Sequence, residues 1–438
     1  MSISDGWLPE EPIQPALRGH RNGQRQSRGR NCQSANRDHG PTFMRRVLMV
    51  VPQYPYPVVG GLERQAHELA LALRALGINV QVLSGRVMPT QPDLEDVEGI
   101  PVHRLPWTHR RWARFLRLPV ELFAVFYRLR RSYDVVHLHQ HSWFGLYAIL
   151  ITRLLGKPNL TKLPNVGVFG VPGLRSGRFG LLKLKILFSA DALVAMSNES
   201  LRELRSAGFP MQRVLAVPNG VSMQQPDSMV AATVRPSSIC KVVFVGRIVE
   251  EKRIDLLLEH WASVQQQCPG EAELEVWGGG PLQAMLQSRC VELGLSRSVI
   301  WRGHVEDVRS RLRNVDIFVM PSVAEGNSNA ILEAMAAGIP IVSTPVGGTP
   351  MLVGPHGTQL LFDLNDDSLA RILIRLIRDS ETRKVVGAKM RARVTDHFNI
   401  QHVAQVYASA YELLATRRAG EIHRLGQPVV LGDPAGTL

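Results

Sequence analysis

Two glutamates stand in the stretch "PSVAEGNSNAILEAMAAGIP", Pro321 to Pro340, which carries no other charge. Glu325 precedes a helical pattern and Glu333 falls inside it, with Asn327 or Ser328 placed to cap the helix start. This spacing keeps the carboxylates from working as a close acid/base pair, so they answer to different parts of one ligand. A helix start offers unpaired amides and the positive end of a dipole, which suit a phosphate. A carboxylate one to two turns further on can accept hydrogen bonds from vicinal hydroxyls, as an acidic residue does with ribose. A glutamate in a helix is, taken alone, most often an ordinary solvated residue. Its neighbours decide.

The segment "FVGRIVEEKRID" places Arg247 and Lys252 directly after a strand. A guanidinium and an ammonium there can clamp a diphosphate and stabilise charge building on a leaving group; a solvated basic loop is the plain alternative. Gly278 to Gly280 in "VWGGGPLQ", and Gly60 and Gly61 in "PYPVVGGLERQ", permit close backbone approach to a phosphate, or simply a tight turn. In "DVVHLHQHSW", His137, His139 and His141 alternate, so all three share one face if the strand continues. No carboxylate or cysteine constellation accompanies them, so no metal site is expected. One histidine at a cleft, hydrogen-bonding a sugar hydroxyl, with the others structural, fits better.

Such residues need a frame. Residues 1–43 are polar, rich in Arg, Asn, Gln and Gly, and without period, which reads as a disordered extension; Met44 offers an alternative start, leaving 1–43 untranslated. "RVLMVVP", "NVQVLSG", "YDVVHLHQH", "ADALVAMS" and "RVLAVPNGV" have strand length, with helical "GLERQAHELALALRALG" and "NESLRELRSAG" among them. This βαβ series defines an N-terminal domain, 44–221. Ser222 to Ile239 lacks period and reads as a linker. A second series, 240–399, runs through "KVVFVGR", "ELEVWGGG", "VIWRGH", "DIFVMPS" and "IPIVSTPVGG". A helix over 400–418 and a frayed tail over 419–438 close the chain. In open parallel sheets, ligands sit beyond the carboxyl ends of strands, the rim where Arg247, Lys252 and Glu325 all fall.

Together these pieces resemble family-four glycosyltransferases of the GT-B fold, from about Met44 to Arg417. The most specific feature is Glu325 and Glu333 with seven residues between them, followed by "AMAAGIP"; "GR" with a lysine five residues on, "VPNGV", "GGGPL" and "DVVHLH" follow the same order. The resemblance implies an α/β protein of two tandem Rossmann-like domains facing across a cleft, with the helix over 400–418 crossing back to the first. It implies retaining, metal-independent, hexosyltransferase-type sugar transfer from a nucleotide-diphosphate donor in the C-terminal domain to an acceptor in the N-terminal one. The nucleotide sugar is a co-substrate, and no cofactor is implied. On that pattern Gly246, Arg247 and Lys252 hold the diphosphate, Glu333 the ribose, and Glu325 sits near the donor-sugar hydroxyls. The amides of Asn327, Ser328, Asn329 and Ala330 surround the phosphates, with Gly278 and Gly280 on the donor side. His139 matches a cleft histidine touching the donor sugar, and Gly61 a loop glycine near the reaction centre, shared by donor and acceptor. Arg247, Lys252, Glu325 and His139 form the catalytic set. Ser222 and Met351 depart from the pattern, where acidic residues are common.

The chain of 438 residues carries a formal net charge of +13, which favours anionic partners. The segment 104–131 gathers Arg104, Arg110, Arg111, Arg114, Arg117, Arg128, Arg130 and Arg131 around a single acid, Glu121, with Trp107, Trp112, Phe115, Phe123 and Phe126 interleaved. That composition suits an anionic membrane surface; RNA or a core helix with a solvated face are the alternatives. With glycosyl transfer as the activity, a sugar or lipid-linked acceptor is expected, with Lys162 and Asn165 in "TKLPNVGVFGVPG" as its contacts, and no nucleic acid. No apolar run reaches the roughly 20 residues that span a bilayer, and "MSISDGWLPEEPIQ" lacks a signal-peptide layout. Cys32, Cys240, Cys268 and Cys290 are scattered, suggesting neither zinc nor a disulfide framework. The expected setting is cytoplasmic, peripheral at the inner face of the membrane, in polysaccharide, glycolipid or cell-envelope synthesis. A sugar-nucleotide epimerase and a non-catalytic basic binding protein are the rival classes; the carboxylates of the former are not recognisable, and the clamp would be unexplained in the latter.

Overall fold

Short apolar runs, buried on both sides, build two parallel sheets, each covered by helices on both faces. The computed structural model describes residues 45–54, 60–105, 111–223 and 239–431, apart from the side chains of 111–116, 428 and 431. The extension 1–43 and most of the linker fall outside the described residues.

The first sheet contains β1 (Arg46–Val51), β2 (Asn79–Gly85), β3 (Leu94–Val97), β4 (Ile100–Leu105), β5 (Val135–Leu138), β6 (Asn159–Lys162), β7 (Ala192–Ala195) and β8 (Val214–Ala216). Their order is β3-β4-β2-β1-β5-β6-β7-β8, parallel except where β3 meets β4. Its helices are α1 (Gly61–Ala75), α2 (Arg111–Leu129), α3 (Trp143–Leu154), α4 (Val171–Ser176), α5 (Gly180–Leu187) and α6 (Asn198–Ser206), the last started by a Ser197–Ser200 capping box. The second sheet contains β9 (Cys240–Val245), β10 (Ala272–Trp277), β11 (Val299–Gly303), β12 (Ile317–Met320) and β13 (Ile341–Ser343), ordered β11-β10-β9-β12-β13. Around it lie α7 (Ile254–Gln267), α8 (Gln283–Glu292), α9 (Val308–Leu312), α10 (Asn329–Ala336), α11 (Thr349–Gly357), α12 (Ser368–Arg378) and α13 (Ser380–His397).

The chain then returns to the first domain. Val221 and Ile400 exchange backbone bonds with the partner strand, Val221 N donating to Phe398 O and Ile400 N to Val221 O. Beyond that crossing α14 (Ile400–Ala415) buries Val403, Tyr407, Tyr411 and Leu414 in the same core as α1, on one face of the first sheet. The opposite face is covered by α2, α3, α5 and α6.

Three expectations change. Arg104 is not part of a helical basic segment but lies on β4, buried, with its guanidinium on Glu95 at 2.7 Å. Strand β5 ends at Leu138, so only His137 and His139 share a face, their rings 4.2 Å apart. The tail after Arg418 is not frayed as far as 431. It forms a 3-10 turn, Ala419–Leu425, and α15 (Pro428–Leu431), anchored by fully buried Ile422 and Val430 and by Gln427 N donating to Ala216 O.

Candidate active site

The carboxyl ends of β9, β10 and β12 bring together the loops that carry the charged residues. Gly246 and Arg247 follow β9, and Gly278 follows β10 with a φ of 135° that a side chain rarely adopts. A Cβ at Gly278 would strike the carbonyl oxygen of Gly246, and one at Gly280 that of Ile248. These glycines are therefore required by the close packing of two neighbouring loops. Arg247 stands out from the rim, 76% exposed and 3.5 Å from Glu251. Its charge reaches across to α1 of the first domain. Burial pushes the Glu63 carboxyl above its ordinary range, while backbone amides and the Arg247 charge pull it part of the way back.

Lys252 and Glu325 meet directly. The Lys252 Nζ donates to Glu325 Oε1 at 2.5 Å, with both side chains mostly buried. The loop carrying Glu325 then turns into α10. Ser328 occupies the N-cap position, but neither it nor Asn327 caps the helix. The Asn327 side chain instead accepts from Asn219 N and donates to Met196 O, both in the first domain. The start of α10 is thus uncapped by side chains, with its amides turned toward the junction.

Glu333, in the second turn, is only 7% exposed. It lies 3.4 Å from Arg64 of α1 and 3.5 Å from Arg309 of α9. Glu68 closes the cluster, 3.3 Å from Arg64 and accepting two bonds from Arg309 at 2.5 and 2.6 Å. Burial raises the Glu333 carboxyl above its ordinary range, and the two guanidiniums offset this only in part. The cavity beside the cluster, about 10 Å³, has room for no more than a water.

A second cross-domain network is built on asparagine amides. Asn219 donates to Asn327 O at 3.0 Å and to Asn329 Oδ1 at 2.9 Å, and Asn329 donates to Gly61 O at 2.5 Å. Lys162 completes it from β6, its Nζ donating to Asn219 Oδ1 at 2.6 Å. Lys162 is 4% exposed, and burial brings its pKa down to about 7. It faces the domain junction, with its ammonium held by Asn219. Asn165 is exposed, beside the point where Pro164 meets Gly326; a Cβ at Gly326 would strike the Pro164 carbonyl oxygen.

His139 is 1% exposed and packed against the tilted ring of His137, which in turn shares a 2.8 Å hydrogen bond with the Tyr411 hydroxyl of α14. Burial holds both imidazoles well below their ordinary pKa, hence neutral. The Nε2 atoms of both rings find no partner. As the domains stand, His139 is closed off from solvent, and a sugar would reach it only after the surrounding loops move. Among the described residues no group of His, Cys, Asp and Glu is arranged to hold a metal.

The structure thus brings Lys252 to Glu325 and sets Asn329 against Gly61 and Asn327 against Asn219, while adding Arg64, Glu68, Arg309 and Asn219, which sequence reasoning passed over. Of these only Asn219 carried a signal, within "VPNGV". Two parallel sheets, with the carboxyl edge of one against that of the other and an open helix start between them, define a two-domain GT-B glycosyltransferase. The family model described as "Glycosyl transferase 4-like domain" matches residues 60–220, and that described as "Glycosyl transferases group 1" matches 240–379. The chain belongs to this family of glycosyltransferases. It is 25% identical over 388 residues to an uncharacterized glycosyltransferase of Methanocaldococcus jannaschii, covering 84% of this chain and 98% of that one. Among solved structures it is similar to sucrose-phosphate synthase from Thermosynechococcus elongatus, with TM-score 0.70, 21% identity and coverage of 85% and 100%. It is also similar to Anabaena HepE in complex with UDP-glucose, with TM-score 0.67, 18% identity and coverage of 84% and 99%.

Proposed function

We propose that this enzyme transfers a sugar, with retention of anomeric configuration and without a metal, from a nucleotide-diphosphate donor to an acceptor hydroxyl. The observation that carries the reading is the uncapped start of α10, flanked by the Lys252–Glu325 pair before it and by Glu333 in its second turn. A diphosphate lying along that helix start receives the amides of Asn327 to Ala330 together with Arg247 and Lys252. Glu325 is then released from Lys252 to accept from donor-sugar hydroxyls, and Glu333 turns from its two guanidiniums to the ribose. UDP-glucose in the structurally similar HepE supports a nucleotide sugar as donor.

In the transfer the anomeric C–O bond to the diphosphate breaks and a bond from the acceptor oxygen forms on the same face. The leaving phosphate takes the acceptor proton, so no protein base is needed. Positive charge from Arg247 and Lys252 stabilises the developing diphosphate, and the junction holds the acceptor on the leaving-group face of the donor sugar. A sugar or lipid-linked acceptor would enter from the first-domain side, past Gly61 and Asn165. The test is a thermal-shift panel of nucleotide-diphosphate sugars on the wild type and on Arg247→Ala. Arg247 is exposed, so its removal leaves the fold intact. One donor is expected to raise the midpoint of the wild type and not of the variant. A folded protein that no donor shifts, or a variant that responds equally, would overturn the assignment.

A further inference from the structure

The outer face of the first domain carries a feature that sugar transfer does not use. Among the described residues, ten of the eighteen exposed large hydrophobic side chains fall between 120 and 182. Scattered exposed apolar residues are ordinary, but a contiguous set marks an interaction surface. Seven of the ten sit on three helices that touch side by side, α2 against α3 and α3 against α5. Phe123 and Tyr127 stack at 5.9 Å on α2, Leu150 and Leu154 follow one stripe of α3, and Leu181 and Leu182 open α5. Phe179, just before α5, is 57% exposed at a φ of 61°, a left-handed conformation uncommon for a phenylalanine.

The charge around this face has one sign. Arg128, Arg131, Arg153, Arg175, Arg178 and Lys185 are all exposed. The acids of the segment 117–190 are Glu121 and Asp134, and each is paired, with Arg117 at 3.3 Å and Arg46 at 2.7 Å. Glu203, reaching in from α6, is taken up by the amides of Gly167 and Val171. Among the described residues no helix is long and apolar enough to cross a membrane. Apolar side chains ringed by cations that form no ion pair among the described residues match the interfacial mode, in which rings and leucines enter the headgroup boundary and cations meet anionic lipid.

We propose that the face formed by α2, α3 and the α4–α5 turn docks on an anionic phospholipid surface. The site differs from the one the composition of 104–131 suggested, for Arg104 and Phe126 are buried and the face extends instead to Phe179, Leu181 and Lys185. The loop that leads to it starts at Pro164, against Gly326 of the second domain, and passes exposed Val168 and Phe169. Docking would therefore set the mouth of the cleft near the lipid surface.

Flotation of the full chain with vesicles of phosphatidylcholine, alone or mixed one to one with phosphatidylglycerol, tests this without any donor and so independently of the sugar-transfer reading. Binding to the mixed vesicles only, weakening as salt rises, is the expected result. Each basic residue at an anionic surface contributes about fivefold in affinity, so Arg178→Ala with Lys185→Ala should bind about thirtyfold more weakly. Leu181→Ser with Leu182→Ser should also weaken binding, and should remove what survives high salt. No flotation with mixed vesicles at low salt, equal flotation of the wild type and both variants, or retention by RNA in place of vesicles would overturn the proposal. All four substituted side chains are exposed or at the rim, and an unchanged thermal midpoint checks that the variants are folded.

Discussion

At the scale of the residue, His139 and Lys162 show how burial sets charge at the domain junction. An imidazole whose pKa is depressed in the folded state binds fewer protons than it does unfolded. Stability is therefore lost as pH falls below the ordinary histidine value of 6.5 and continues to fall until the folded pKa is reached. The slope can reach about 1.4 kcal/mol per pH unit for each such group. His139→Gln removes one of them. Its stability relative to the wild type should improve steadily from pH 7 to pH 5, whatever constant offset the lost ring contact imposes. Urea unfolding of both proteins across that range measures it, and a constant difference would mean that His139 binds protons equally in the folded and unfolded chain, against the burial described here. Lys162 adds a slope of the same sign at higher pH, between its ordinary 10.5 and about 7. None of this was visible in the alternation of histidines, which placed three rings on one face and gave no sign of the α14 helix that closes over two of them.

At the scale of the element, α14 belongs to the first domain by packing although it follows the second in sequence. Tyr407, Tyr411, Val403 and Leu414 are essentially fully buried there, and each such side chain contributes about 1.5–3 kcal/mol relative to exposure. Ending the chain after Asn399 removes them all, strips the cover from His137, and should leave the first domain without a cooperative transition, while the second keeps its own core. Near-UV circular dichroism and limited proteolysis would show this as a stable fragment near 240–399 with the first domain digested; a fully protected first domain would contradict the role given to α14. The helix itself was legible from its apolar spacing. The β3–β4 hairpin was not. Its two-residue turn, Glu98–Gly99, has positive φ at both positions, the conformation that Asn-Gly or Asp-Gly normally announces. With glutamate in the first place the signal is lost, and Arg104 was read into a basic helix when it is the buried partner of Glu95. Strand ends and the paired glutamates were readable because their period and spacing are local.

At the scale of the whole molecule, the junction holds the domains together through groups that the donor would need. Glu333 is held by Arg64 from the opposite domain and by Arg309, and Arg309 in turn holds Glu68 of the opposite domain. A carboxylate that accepts from two ribose hydroxyls cannot keep both guanidiniums in place, so donor and junction compete for the same oxygens. Such contacts join residues hundreds of positions apart and leave no mark in sequence spacing. If Glu333 serves the ribose as proposed, the donor-competent form is the one with these contacts open, and apparent affinity is reduced by the fraction of molecules in it. Arg64→Ala removes the cross-domain arm on Glu333 while leaving Arg309 to neutralise it. Without added donor, the variant should scatter X-rays as a more extended particle than the wild type. Its donor affinity by calorimetry should rise by about tenfold, the equivalent of one weakened ion pair of about 1.4 kcal/mol. Raising salt should narrow the gap, since screening loosens the wild-type junction as well. A variant that binds donor more weakly than the wild type would instead make Arg64 part of the donor site, with Glu333 reaching the ribose while still paired across the cleft.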